Sequence, residues 1–192
     1  MKRFALLFLL LATTAAFAQA PTRVRGTITA VDGDVLSVKS RDGRDMKIQL
    51  TPDAQVVTTK AATMADFKPG SYVGVTSVKG PDGRLVARRV HALGPQVPQM
   101  HGPWDSMPDS MMTNANIEGS AQVSGGNELT LRYKDGEQKI LVTPDTQFFV
   151  FVPGSRADLK TGETIFAGAR NEGGKLVAPR VAVSKDGVNP PQ

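Results

Sequence analysis

Met100, His101, Trp104, Met107, Met111 and Met112 fall within thirteen residues, a stretch holding four of the seven methionines, one of the two histidines and the only tryptophan. Thioether sulfur is soft and uncharged at any pH, so such a cluster suits Cu(I) or Ag(I), with an imidazole completing the site. His101, Met107, Met111 and Met112 are the candidate metal ligands, with Trp104 as a cap over the ion. Gly102, Pro103 and Pro108 would let a short loop bend around it. The same residues also suit plain packing, because methionine fills irregular apolar gaps. Both readings stay open on the sequence alone.

Catalytic chemistry finds little to work with. His91 closes a predicted strand and His101 lies in the Met-rich stretch, and there is no G-x-S-x-G elbow and no Gly-rich phosphate loop. Asp32, Asp34, Asp42, Asp45, Asp82 and Asp135 fall at predicted turns, where aspartate serves local hydrogen bonding. Asp32-Gly33-Asp34 opens like a calcium loop, but the remaining ligand positions are not filled. No catalytic residue and no other cofactor is expected. The absence of cysteine removes disulfides, thiolate metal sites, thiol nucleophiles and lipobox anchoring.

Those residues sit within a duplication. Arg25-Gly26 answers to Glu118-Gly119, Asp42-Gly43 to Asp135-Gly136, Leu50-Thr51-Pro52-Asp53 to Val142-Thr143-Pro144-Asp145, and Gly83-Arg84-Leu85-Val86-Ala87 to Gly174-Lys175-Leu176-Val177-Ala178. The offset drifts only from 93 (136 minus 43) to 91 (174 minus 83), so turn chemistry is kept and two copies of one small unit are implied. In the first copy, Val24–Val31, Val35–Lys39 and Met46–Leu50 alternate apolar and polar residues with the period of half-buried strands. Ala61 to Phe67 then reads as a short helix stopped by Pro69-Gly70, and two more strands follow around Asp82-Gly83. Three strands, a helix and two strands is the order of an OB-fold, a small closed barrel. The expected architecture is all-β, with two tandem OB-like barrels, each with one short helix between its third and fourth strands. The domains would span residues 22–93 and 116–185, joined by a Met/Pro-rich linker at 94–115 and followed by a disordered tail at 186–192.

The second copy carries Phe148, Phe149 and Phe151 on one strand, with Phe149 and Phe151 sharing a face. One of these rings is expected either exposed or covering an interface between the copies. An OB-fold that binds single-stranded nucleic acid needs stacking aromatics over a basic groove. Here basic residues are interspersed with acids, and nucleic acid is not expected as a partner.

At the N-terminus, Lys2-Arg3 precedes an apolar run from Phe4 to Ala12 and the small-x-small triplet Ala16-Phe17-Ala18. That is the pattern of a cleavable signal over residues 1–18, and it implies a periplasmic or secreted product. No second apolar run has spanning length. The net charge of +5 becomes +3 without Lys2 and Arg3.

Both copies resemble the bacterial DUF5666 domain. The resemblance rests on the opening Gly26-Thr27-Ile28-Thr29-Ala30-Val31-Asp32-Gly33-Asp34-Val35-Leu36-Ser37-Val38, the step Phe67-Lys68-Pro69-Gly70-Ser71-Tyr72-Val73, and the close Asp82-Gly83-Arg84-Leu85-Val86-Ala87-Arg88-Arg89-Val90. The second copy departs at its opening, with Ala121 and Val123. The resemblance implies an exported protein, often with tandem copies, and brings no catalytic residues. Separately, the order His101, Trp104, Met107, Met111 is similar to the ligand order of the periplasmic copper/silver chaperone, a small OB-fold whose tryptophan caps the ion, although there the ligands project from strands. The expected function is a non-enzymatic exported module, binding or structural, for a periplasmic partner the sequence does not identify. The alternative is soft-metal binding through the Met/His stretch.

Overall fold

A computed structural model describes residues 21–191, so the segment read as a signal lies outside the described residues. The alternating runs form twelve strands: β1 (Thr22–Asp32), β2 (Val35–Ser40), β3 (Asp45–Ala62), β4 (Tyr72–Lys79), β5 (Leu85–Ala92), β6 (Met100–Pro103), β7 (Met111–Val123), β8 (Gly126–Tyr133), β9 (Gly136–Val142), β10 (Gln147–Pro153), β11 (Thr164–Glu172) and β12 (Lys175–Val183). Asp-Gly turns work as expected: Gly43 takes φ 85°, a region glycine enters without steric cost.

The strands join into one hydrogen-bonded sheet in the order β12-β11-β1-β2-β3-β10-β5-β4-β7-β8-β9, with β6 added beside β7. Two further pairings curl it. Parallel pairing of β12 with β3, from Leu176↔Ile48 to Val183↔Thr58, closes β1-β2-β3-β12-β11 into a five-stranded β-barrel. Parallel pairing of β5 with β9 closes a second circuit, β7-β8-β9-β5-β4, through Leu85↔Ile140 and Val86↔Leu141. The expected division into one barrel per repeat is therefore not how the strands pair. Each circuit takes three strands from one repeat and two from the other. β3 is the crossing element: its start pairs with β2 and its end, Val57–Ala62, pairs with β10.

The cores show the same exchange. Val24, Ile28, Leu36, Val38, Ile48 and Leu50 of the first repeat pack with Leu159, Ile165, Val181 and Val183 of the second. Conversely Val73, Val75 and Val90 pack with Ile117, Leu129, Leu131 and Ile140. A fully buried aliphatic side chain contributes roughly 1.5–3 kcal/mol. Pulling β11 and β12 away would strip several such residues from the first barrel at once.

Three other expectations are corrected. The expected helices are absent; a 3-10 turn of three residues stands in each place, at Met64–Asp66 and Arg156–Asp158. Ala61 and Ala62 extend β3 because Phe149 and Phe148 of β10 pair with them, so a distant ladder overrides local helix propensity. Each 3-10 turn is held by its aspartate: Asp66 accepts from Thr63 N–H at 2.8 Å, and Asp158 from Ser155 N–H at 2.8 Å. The stretch 94–115 is built into the sheet as β6 and the start of β7, where Met111–Asn116 pairs with β4. The tail docks through residue 191. Lys185 bridges to Val188, the Arg89 guanidinium donates to Pro190 O at 3.1 Å, and Pro190 and Pro191 are buried.

Candidate functional site

β6 and β7 fix most of the sequence-predicted ligands. Residues paired directly across antiparallel strands share a face, and neighbours along a strand alternate. His101 pairs with Thr113, and Pro103 with Met111, so His101 and Met111 belong to one face of this ribbon. Met112 belongs to the other and is buried. His101 Nδ1 lies 2.9 Å from Thr113 Oγ1, its ring packs beside Tyr133, and burial lowers its pKa. Met107 sits in the intervening loop, where its carbonyl accepts from Ser110 Oγ at 2.8 Å. The four residues are thus distributed over two faces and a loop.

Trp104 is held in a different way. The Arg23 guanidinium lies 4.1 Å from its ring centroid and that of Arg25 lies at 5.5 Å, so cations already stack on this ring. Next to it, Asp105 receives both terminal nitrogens of buried Arg25, at 2.9 and 2.8 Å. The Arg25 guanidinium holds the Asp105 carboxyl below the usual carboxylate range. Arg41 donates to the carbonyls of Asp105 and Ser106, the former at 2.6 Å. Within the loop, Trp104 N–H donates to Ser110 O at 2.7 Å, and the single Ser110 Oγ proton is shared between Met107 O and Trp104 O, the latter at 2.9 Å. Three arginines of β1 and the β2–β3 turn thereby clamp the loop onto the first barrel.

The clamp places Trp104 at a cavity of about 380 Å³ between the two circuits. One wall comes from the second circuit, with His91 on β5 and Met112 and Asn114 on β7. The other comes from the first barrel, with Phe166 and Gly168 on β11 and Arg180 and Ala182 on β12. Phe151 on the bridging strand β10, Trp104 of the loop and Pro191 of the tail complete it. No carboxylate, hydroxyl or amine side chain is among its lining residues.

His91 is the most perturbed group there. Its ring stacks on Phe149 at 5.0 Å and 7°, and meets the edge of Phe151 at 5.8 Å. A glycine at position 74, paired with His91 across β4 and β5, makes room for it: a Cβ there would lie 2.7 Å from His91 Cε1. Burial, with a smaller contribution from the nearby Arg89 charge, pulls its pKa down from 6.5 to about 4. The imidazole is therefore neutral at pH 7. Its Nδ1, like Trp104 Nε1, is buried without a hydrogen-bond partner among the described residues.

The repeat equips the cavity unequally. At the offset of 91, Arg89 corresponds to Arg180 and His91 to Ala182. Arg89 is spent on the tail carbonyl, whereas exposed Arg180 lies over Phe151 at 5.7 Å and makes no ion pair among the described residues. Sequence reasoning passed over Arg25, His91, Asp105, Phe166 and Arg180. Only the facing of Phe149 and Phe151 hinted at a shared interface, and Phe151 does lie at it.

Among known proteins, no curated protein and no solved structure matches the chain. One family model matches, described as "Domain of unknown function (DUF5666)", over residues 25–91. That span begins at the clamping Arg25 and ends at the cavity histidine. The likeness to DUF5666 is thus shown for residues 25–91, the first of the two repeats.

Proposed function

We propose that the protein is an exported, non-enzymatic binding module that holds a small apolar ligand between two OB-type barrels. The observation that carries this reading is the 380 Å³ cavity, lined by Trp104, Met112, Phe151 and Phe166 from both circuits. That size lies within the range of small-molecule sites, which are apolar with a few placed polar groups. Asn114 and Arg180 supply two such polar groups among the lining side chains. Support for the OB assignment comes from the strand order β1-β2-β3-β12-β11 with parallel closure, repeated as β7-β8-β9-β5-β4. Support for export comes from the basic-apolar-small pattern of residues 1–18. The lining favours binding over catalysis, since it offers no nucleophile beside a base.

The geometry favours this reading over Cu(I) or Ag(I) binding at His101, Met107, Met111 and Met112. Those side chains belong to opposite faces and a loop, and Trp104 already faces two guanidinium groups that would repel an added cation.

The test uses the neutral fluorophore N-phenyl-1-naphthylamine, with energy transfer from Trp104, the only tryptophan. Saturable binding with a rise in probe emission is expected. Gly168→Leu should abolish it, because a Cβ there meets only Pro21 Cβ, at 3.9 Å, so the new side chain fills the cavity without disturbing the barrel. Absence of saturable binding, or unchanged binding in Gly168→Leu, sinks the proposal.

A further inference from the structure

We propose that the ligand is a small amphipathic carboxylate, its apolar body between Trp104, Met112, Phe151 and Phe166 and its head at the Arg180 guanidinium. This rests on the cavity being a binding site and adds the chemical class of what enters it. The argument is one of charge. Four arginines lie at or beside the cavity, and three are already engaged: Arg23 and Arg25 with Asp105, and Arg89 with Pro190 O. Arg180 lines the cavity, is exposed, and has an aromatic ring but no carboxylate against it. Its counterpart in the repeat shows what an engaged arginine at this position looks like, since Arg89 is turned to an internal carbonyl.

No acidic side chain lines the cavity, so an entering anion meets no like charge. A guanidinium accepts a carboxylate through two parallel N–H···O bonds, and charge-assisted bonds of this kind are about twice as strong as neutral ones. The aromatic and thioether walls offer nothing that would compensate a second charge buried deep in the site. A monoanion with one polar end therefore fits better than a dianion or a zwitterion.

Calorimetric titration of the full mature chain with octanoate and with 1-octanol, matched in apolar length, tests the assignment. Octanoate is expected to bind at least tenfold tighter, and Arg180→Gln should bring the two to parity. Arg180→Gln should fold normally because the side chain is exposed and makes no ion pair among the described residues, and an unchanged circular dichroism spectrum checks this. Gly168→Leu should remove octanoate binding altogether. Equal affinities in the parent protein overturn the carboxylate assignment while leaving the cavity as a general apolar site. Binding of N-phenyl-1-naphthylamine with no response to octanoate does the same. Failure of all three probes overturns the cavity reading as well. A preference for octanoate that survives Arg180→Gln overturns the placement of the head.

Discussion

Thr59 and Phe151 stand opposite one another in the antiparallel ladder between β3 and β10, and they occupy the same position of the repeat, 92 residues apart (151 minus 59). Leu50 and Val142 share that offset (142 minus 50). A strand segment that pairs antiparallel with its own copy, at the equivalent residue, marks an approximate two-fold axis. The chain is organised as an exchanged dimer of one small unit written into a single polypeptide.

Exchange predicts complementation. Residues 21–93 and 94–191, produced as separate polypeptides, each lack two or three staves of both circuits. Co-expressed, they should elute as one 1:1 complex with the β-sheet spectrum of the intact chain. Two separately eluting, independently folded halves would show that each repeat encloses its own core.

Asp105→Asn should cost about 1–3 kcal/mol, because buried Arg25 keeps its charge and loses its partner. Trp104 emission should shift as the clamped loop loosens. The sign with pH is fixed by the depressed Asp105 pKa. The contribution is present above the unfolded carboxylate value of about 4 and is lost as pH falls through the lower folded one. Chemical denaturation of parent and variant should therefore differ at pH 7 and converge in strong acid.

His91 has the opposite chemistry and a comparable pH sense. Its folded pKa, about 4, lies below the ordinary 6.5, so between those values the unfolded chain binds the proton and the folded one does not. Stability should fall on acidification from pH 6.5 to 4, by at most about 3 kcal/mol. In His91→Gln that part of the slope should vanish, which urea unfolding at pH 7 and pH 4.5 would reveal. An unchanged slope would mean that His91 takes up its proton in the folded state.

Gly74→Ala should destabilise by about 1–3 kcal/mol through overpacking, since the added Cβ would press on the His91 ring at 2.7 Å. It should also weaken N-phenyl-1-naphthylamine binding by displacing His91 into the cavity. Gly168→Ala, with open space around its Cβ, is the control expected to be near neutral in stability. Equal melting temperatures for both variants would show that His91 yields freely.

Strands and turns were readable in advance, because alternation and Asp-Gly punctuation are local properties of the chain. Val24–Val31 and Met46–Leu50 became part of β1 and the start of β3, as their period requires. Which strands pair is set by closure over long separations, such as Val24↔Ala167. Nothing in the composition of β1 distinguishes β11 from β4 as its neighbour. The same limit explains Ala61 and Ala62, good helix formers drawn into β3 by β10. The site was obscured for a related reason. Arg25, His91, Phe151, Phe166 and Arg180 lie up to 155 residues apart (180 minus 25) and share no spacing. The Met/His stretch drew notice through its composition, but strand pairing divides it between two faces.

The crossing of β3 also bears on how the polypeptide can acquire its shape. As synthesis proceeds from the N-terminus, β1, β2 and β3 emerge well before β11 and β12, the staves that complete their barrel. Neither ring can seal on a half-made chain, and Leu36, Ile48 and Leu50 stay wettable until the last third is available. Assembly must come late and nearly all at once, through contacts of long sequence separation that slow folding. A nascent chain of this kind carries sticky edges for an extended time and gains from a holding chaperone.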